Sequence, residues 1–203
     1  MIKNDFDDVT SPELMELKEC AMEGDVDAQH WLGRAYFKGR YGLKIDIERS
    51  EFWFEQAINK MKSTIEILNA HGLSRLNLED LTEKLDLFSY SLALSYWVGG
   101  KKSLSMSIVN KLVEKDYPPA LYFLGREKYS IGMQSEGVLL LERSAGAGHI
   151  EAKLFLKQLQ INNSKGILER LKLKKELFLL TIEQEEMIEA DSESNTYSKY
   201  LFF

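Results

Sequence analysis

The sequence has few residues of the kinds that fix structure or chemistry covalently. Cys20 is the one cysteine, so an internal disulfide is excluded, and there are only 3 prolines and 3 histidines among 203 residues. The histidines His30, His71 and His149 do not show metal-ligand spacing. We therefore expect no metal, no cofactor and no catalytic residue, and we expect a hydrophobic core to hold the fold.

Long apolar runs are also scarce. The longest, such as Val138–Leu141 and Leu177–Ile182, are too short to span a bilayer, and the N-terminal MIKNDFDDVTSPEL lacks the apolar segment of a secretory signal. These features predict a cytoplasmic protein with no membrane partner. The net charge of −6 and pI near 5.3 argue against nucleic acid as the main ligand and suit a basic protein partner.

What the sequence does contain is an internal repeat. AQHWLG (28–33) recurs as ALYFLG (120–125), and LGRAYFKG (32–39) matches LALSYWVG (92–99). Farther along each unit, SEFWFEQAI (50–58) aligns with GVLLLERSA (137–145). Such self-similarity predicts units of two short helices, helix A and helix B, joined by a glycine turn.

The glycines of the repeat occur at positions whose role has to be explained. Gly33 and Gly125 fall inside predicted helices A, where glycine costs about 1 kcal/mol relative to alanine, so we expect a close helix contact at each of them. Gly39 and Gly42 lie among basic residues, but no Gly-Lys-Ser/Thr follows as a phosphate loop requires, and we interpret them as turn residues. Asp46 is the predicted N-cap of the following helix B.

These residues resemble the Sel1-like repeat family, relatives of the tetratricopeptide repeats. The resemblance covers roughly residues 13–160 and is strongest at Asp27–Ala57 and Gly137–Ala152. The positions that match the family pattern are Leu32, Gly33, Tyr36, Gly39, Gly42, Asp46, Trp53 and Ala57. The resemblance implies an all-α fold, a right-handed solenoid of helix pairs. The middle unit departs from the pattern, since Ala93 stands where the helix A glycine belongs.

The spacing of the repeats predicts three parts. Residues 1–161 form the solenoid, with an insertion at about 59–85 that lengthens helix B of one unit and helix A of the next into a hairpin, Asn77 being the N-cap of its second helix. This hairpin either projects from the solenoid or packs back on it. Residues 162–190 form a long C-terminal capping helix, and 191–203 form a tail that begins polar and ends aromatic.

The resemblance also implies a binding surface, because helices A line the concave groove of tetratricopeptide-like solenoids. Carried over by position, the groove residues are His30, Arg34, Phe37, Lys38, Tyr90, Leu94, Trp97, Tyr122, Arg126 and Tyr129. Tyrosine, tryptophan and arginine dominate interface hot spots. Two alternatives stay open: the aromatic residues complete the core instead, or the partner contacts the hairpin around His71–Leu78 or the tail at Tyr200–Phe203.

Helical repeats present extended surfaces for binding, so a protein-binding module is the expected function and an enzyme the remote one. Within this class we expect an inhibitor or immunity protein that neutralises a toxic, basic effector, as some Sel1-like proteins of bacteria do. The alternative is a regulatory adaptor in bacterial signalling or secretion. Self-association into a homo-oligomer is left open by the sequence.

Overall fold

The computed structural model describes residues 11–71 and 75–194, and all regular secondary structure within them is helical. The all-α prediction is confirmed. The helices of these residues are α1 (Pro12–Glu23), α2 (Val26–Lys38), α3 (Ile47–Ala70), α4 (Arg75–Val98), α5 (Lys102–Glu114), α6 (Pro118–Ser130), α7 (Gln134–Gly146), α8 (Ile150–Asn163) and α9 (Ile167–Ser194).

Local chemistry fixes the ends of the first repeat. The Asp25 carboxylate accepts a 2.7 Å hydrogen bond from the Ala28 N–H and so starts α2. Gly39, with a φ of 68°, ends α2 in the left-handed conformation that glycine adopts without strain. Asp46 accepts from the Arg49 N–H at 2.9 Å, which confirms it as the N-cap of α3.

α3 and α4 are both long helices, of 24 residues each. They share a buried cluster that includes Met61 and Phe88 and is flanked by half-buried Ile65 and Leu85, so the two helices pack on each other well beyond the length of one repeat. α4 already begins at Arg75, so the predicted N-cap Asn77 lies within the helix. The residues just before Asn77 include no helix breaker, and a capping residue marks a boundary only where the preceding chain cannot be helical.

The chain divides into two compact units, with the division inside α5. Unit 1 extends to Lys111, and unit 2 begins at Leu112. The sequence interpretation placed its boundaries elsewhere, at 161/162 and 190/191. In unit 1 each of α1, α2 and α3 packs on the next helix along the chain, and in unit 2 the same holds for α6, α7 and α8.

The repeat glycines lie where two helices touch. A Cβ atom at Gly33 would be 2.7 Å from Cδ1 of Phe54, and one at Gly125 would be 2.9 Å from Cγ of Leu141. Phe54 and Leu141 occupy the same position in the aligned segments 50–58 and 137–145. The predicted close contact is therefore confirmed in both units, and equivalent helix pairs use it at equivalent positions.

α9 packs on the helix that precedes it in the chain. The Lys157 ammonium of α8 donates a 2.8 Å hydrogen bond to the Glu176 carboxylate of α9, and Leu173 and Leu177 of α9 are half-buried. α9 continues to Ser194, one turn beyond its expected end at 190, because the Asp191–Ser194 segment contains no glycine or proline. Tyr200–Phe203 and Gly72 lie outside the described residues.

Candidate functional site

In unit 1 the predicted groove residues of α2 form part of a cluster of cations and aromatic rings. The guanidinium carbon of Arg34 lies 5.1 Å from the centre of the Trp31 ring, and Lys38 Nζ lies 5.9 Å from the centre of the Phe37 ring. Both rings and Arg34 are half-buried, and Lys38 is exposed. A cation over an aromatic face is held by the ring quadrupole, so Arg34 and Trp31 present a partly ordered contact surface.

The cations of this cluster lie close enough to affect one another. Burial, together with the positive charge of Arg40, lowers the pKa of Arg34 to about 10, so Arg34 remains cationic near neutral pH. Partial burial, with Arg34 and Arg40 nearby, also lowers the pKa of Lys38. This face therefore carries a concentration of positive charge on a chain whose net charge is −6, and it favours a carboxylate or another anionic group on a ligand.

His30 does not belong to this surface, and its predicted role as a partner contact is wrong. Only 2% of the residue is exposed, because its ring stacks on Phe88 of α4, with centroids 4.1 Å apart. The Ser91 hydroxyl donates to the Leu87 carbonyl, so its oxygen is left to accept from His30 Nε2, which is 2.9 Å away. Burial lowers the His30 pKa to about 3, so a neutral ring is part of the core at physiological pH.

The contacts of His30 also show how α2 and α4 are arranged. Lys84 Nζ donates a 2.6 Å hydrogen bond to Asp27, and farther along both helices His30 meets Ser91. The contacts occur in the same order along each helix, so α2 and α4 run side by side and in parallel. This is the arrangement expected for helices A of successive units. It places the α2 and α4 groove residues on neighbouring helices.

The α4 groove residues repeat the chemistry of α2. Tyr90, Leu94 and Trp97 are half-buried, and Lys102 Nζ lies 4.9 Å from the centre of the Trp97 ring. Lys102 was not among the predicted groove residues, because it opens α5 and belongs to no helix A. We define the unit 1 face as the half-buried or exposed residues of this set, namely Trp31, Arg34, Phe37, Lys38, Tyr90, Leu94, Trp97 and Lys102.

In unit 2 the three predicted residues of α6 form a second cluster. The Arg126 guanidinium carbon lies 5.5 Å from the Tyr122 ring centre and 5.8 Å from that of Phe155 in α8. The Tyr129 and Phe155 rings meet edge to face at 5.8 Å. The Tyr122 ring also lies 4.9 Å from His149, whose pKa is lowered by burial although the Glu151 carboxylate opposes that shift.

Sequence reasoning missed Trp31 and Phe155, yet the repeat contains a signal for both. Each stands three residues after a repeat alanine, Ala28 for Trp31 and Ala152 for Phe155. An aromatic residue at one repeat position of successive helices A indicates a shared surface role. The prediction used the position three residues before the repeat glycine, as in His30 and Tyr122, and positions after it, as in Arg34, and so included neither ring.

Unit 2 also has an open cleft between α7, α8 and α9, with a volume of about 890 Å³. Its lining includes the apolar side chains of Val138, Leu156 and Leu173 and the ring of Tyr129. Glu142 and Glu169 contribute carboxylates to the lining. The cleft is bordered by three consecutive helices, and no sequence pattern indicated it.

Within residues 11–71 and 75–194 no group of His, Cys, Asp or Glu side chains is arranged to hold a metal ion. Across the same residues no helix combines the length and the apolar character needed to cross a membrane. Cys20 is half-buried against the buried cluster formed by α1 and α2.

No protein-family model matches this sequence, and no curated protein is significantly similar to it. A solved structure titled "Pseudomonas aeruginosa 5086" matches with 18% sequence identity, over 83% of this chain and 72% of that one, at a TM-score of 0.41. A likeness this distant carries no argument about fold or function.

Proposed function

We propose that this chain is a protein-binding helical-repeat module whose partner contacts the unit 1 face. The observation that carries the proposal is the cation–aromatic pairing on α2 and α4, in which Arg34 lies 5.1 Å from the Trp31 ring centre and Lys102 Nζ lies 4.9 Å from that of Trp97. Tryptophan, tyrosine and arginine are the residues that most often carry binding energy at protein interfaces.

Several features of the face favour binding. Its rings belong to helices that are fixed by tertiary contacts, so little side-chain entropy is lost when a partner covers them. Arg34 is already half-desolvated, as its lowered pKa of about 10 reflects, and a partner carboxylate that pairs with it would meet less competition from water. The anchor that we propose on the partner is therefore a carboxylate next to an apolar side chain.

We further propose that the helix pairs form a right-handed, Sel1-like solenoid. The equivalent glycine contacts of Gly33 and Gly125 and the parallel course of α2 and α4 support this. Within that architecture the favoured role is a cytoplasmic inhibitor or immunity protein that neutralises a toxic effector. The net charge of −6 would speed encounter with a basic effector, while the local cations of the unit 1 face would recognise a carboxylate on its surface.

The proposal can be tested by site-specific photo-crosslinking in cells. A crosslinking amino acid at Phe37 should capture the partner for identification by mass spectrometry, whereas the same group at the exposed Lys60 of α3 should not. With the partner in hand, Arg34→Ala should weaken binding by about 2 kcal/mol or more without loss of helicity. The exposed Lys60→Ala is the matched control and should leave affinity unchanged.

Two results would reject this function. Full partner affinity in both Arg34→Ala and Trp97→Ala would remove the unit 1 face from the interface. If the captured partner is not toxic when produced alone, the inhibitor role fails and a signalling or secretion adaptor replaces it. A toxic partner whose effect is relieved by the wild-type chain but not by Arg34→Ala would support the inhibitor role.

A further inference from the structure

The outward face of α9 is apolar, although it lies at the end of the described chain. α9 has apolar side chains on two sides, and Leu173, Leu177 and Leu180 on one of them are half-buried. The other side is left open to solvent: Leu168 is 84% exposed and Phe178 is 65% exposed. We call these open residues the outer stripe, namely Ile167, Leu168, Leu171, Phe178 and Leu179.

An open apolar stripe on a helix is unusual, because soluble proteins rarely expose contiguous apolar patches that no other surface covers. Contiguous exposed apolar side chains mark interaction surfaces, since each square ångström left in water forgoes about 25 cal/mol of stabilisation. The outer stripe therefore predicts that another surface covers α9.

The charges along α9 indicate what that surface is. The first half of the helix carries the cations Arg170, Lys172, Lys174 and Lys175. It also contains Glu169 and Glu176, the second of which pairs with Lys157 of α8, so this half keeps a net positive charge. From position 183 onward the sequence of the helix has acidic charges alone, at 183, 185, 186, 189, 191 and 193. One half of α9 is thus basic and the other acidic, and each half complements the other.

We propose that two copies of the chain pair through α9 in an antiparallel arrangement with twofold symmetry. Antiparallel pairing places the basic half of each α9 over the acidic half of its partner, whereas parallel pairing would align like charges. The midpoint of Ile167–Ser194 falls just after Leu180, so Phe178 and Leu179 of both copies meet near the twofold axis. Their burial supplies the apolar centre of the interface, and the charge pairs flank it on both sides.

An anionic lipid surface explains the charges less well. It would attract the lysines beside the outer stripe, but it would repel the acidic half of the same helix. A second copy satisfies both halves at once. This pairing involves α9 alone and is independent of the partner proposed for the unit 1 face.

The test uses two charge-reversed forms of the full chain. The first carries Lys172→Glu, Lys174→Glu and Lys175→Glu, so that both halves of its α9 have a net negative charge and Arg170 is the one cation left in the helix. The second carries Glu185→Lys, Glu186→Lys and Glu189→Lys, so that its cations extend into the second half. In sedimentation velocity the wild-type chain should be a dimer, and each reversed form alone should dimerise at least about tenfold more weakly. An equimolar mixture of the two should regain a heterodimer of wild-type affinity.

The apolar centre is tested separately with Phe178→Ser. Phe178 is exposed, so this change should weaken the dimer at least about tenfold while circular dichroism shows unchanged helicity. A chain shortened after Ser194 should keep the dimer, because the pairing needs α9 alone.

Four results would overturn the proposal. A wild-type chain that stays monomeric at about 100 μM has no dimer of useful affinity. A mixture of reversed forms that fails to pair excludes the antiparallel charge match. Loss of the dimer in the shortened chain assigns the contact to residues 195–203. A monomer that sediments with vesicles containing phosphatidylglycerol, but not with phosphatidylcholine vesicles, assigns the outer stripe to a lipid surface.

Discussion

The two units build equivalent helix pairs around different side chains. In unit 1, Gly33 of α2 faces the ring of Phe54, and Tyr36 and Phe88 are also almost completely buried. In unit 2, Gly125 of α6 faces Leu141. The buried residues described there are aliphatic or small, and the aromatic rings of α6 and α8 are half-buried near the surface. The same repeat pattern thus produces an aromatic core in one unit and an aliphatic core in the other.

A second glycine accompanies this difference. Position 137 of α7 aligns with position 50 of α3, and it is glycine in unit 2 and serine in unit 1. A Cβ atom at Gly137 would lie 2.7 Å from the Gly125 carbonyl oxygen and 2.7 Å from the Tyr129 N–H nitrogen, so the backbones of α6 and α7 touch. Helices in backbone contact leave little room for a ring between them. Unit 1 has a side chain at this position, that of Ser50, and there the Phe54 ring lies against Gly33 of α2.

The largest expected effect in this comparison is the loss of the Phe54 ring. Phe54→Ala should lower the free energy of unfolding by about 3–5 kcal/mol, because the ring is 1% exposed and its loss leaves a cavity. Urea titration followed by circular dichroism measures this. Trp53, which matches the family pattern, is only half-buried, so Trp53→Ala should cost clearly less. Equal costs for the two changes would refute an aromatic core centred on Phe54.

The next effect concerns the glycine pair of unit 2. Gly137→Ala should destabilise the protein by about 1–3 kcal/mol, because its Cβ would press on backbone atoms that cannot move independently. Gly146, the last residue of α7, is the matched control, since a Cβ there would meet no atom within 4 Å. Gly146→Ala should be neutral or stabilise by up to about 1 kcal/mol. If thermal melts show the two variants to be equally stable, α6 and α7 are not in backbone contact.

The buried His30 of unit 1 should make the free energy of unfolding depend on pH. The His30 pKa is lowered to about 3 in the folded chain, against an ordinary value of 6.5. Between these values the unfolded chain binds a proton that the folded chain does not, so stability is full above pH 6.5 and falls as the pH drops. The slope attributable to His30 approaches about 1.4 kcal/mol per pH unit.

Urea titrations at pH 7 and pH 5 measure this slope. His30→Phe should lose less stability than the wild-type chain between the two values, because it has no group there to protonate. His71 is exposed, so His71→Gln should behave as the wild type does. An unchanged pH dependence in His30→Phe would show that the imidazole is not a buried neutral group.

The smallest effect belongs to a surface ion pair of unit 2. Lys128 Nζ lies 2.6 Å from Glu136 Oε2, but the pair is partly open to solvent. Lys128→Ala should cost only about 0.2–1 kcal/mol, and 1 M salt should remove most of the difference from wild type. A loss similar to that of Gly137→Ala would mean that this ion pair, and not the glycine contact, holds α6 against α7.

The sequence by itself determined the helical class, the positions of the repeat glycines, the Asp46 cap and the two lengthened helices. These features depend on interactions within a few residues of each other, such as a capping carboxylate or a residue without a Cβ, and such interactions are visible as spacing along the chain. The repeat also made Gly33 and Gly125 equivalent before any contact was known.

Only the tertiary structure decided which side chains those helices enclose. His30 lies on the same helical stripe as Arg34, yet α4 covers the first and leaves the second half-buried. Phe54 and Leu141 hold the same repeat position, yet the helix that packs on each of them accommodates a ring in one unit and an aliphatic side chain in the other. Leu177 and Phe178 are neighbours in sequence, but α8 lies against one side of α9 and not the other. The burial of a side chain depends on which helices pack against it. That packing is determined by contacts between residues that lie far apart in the chain.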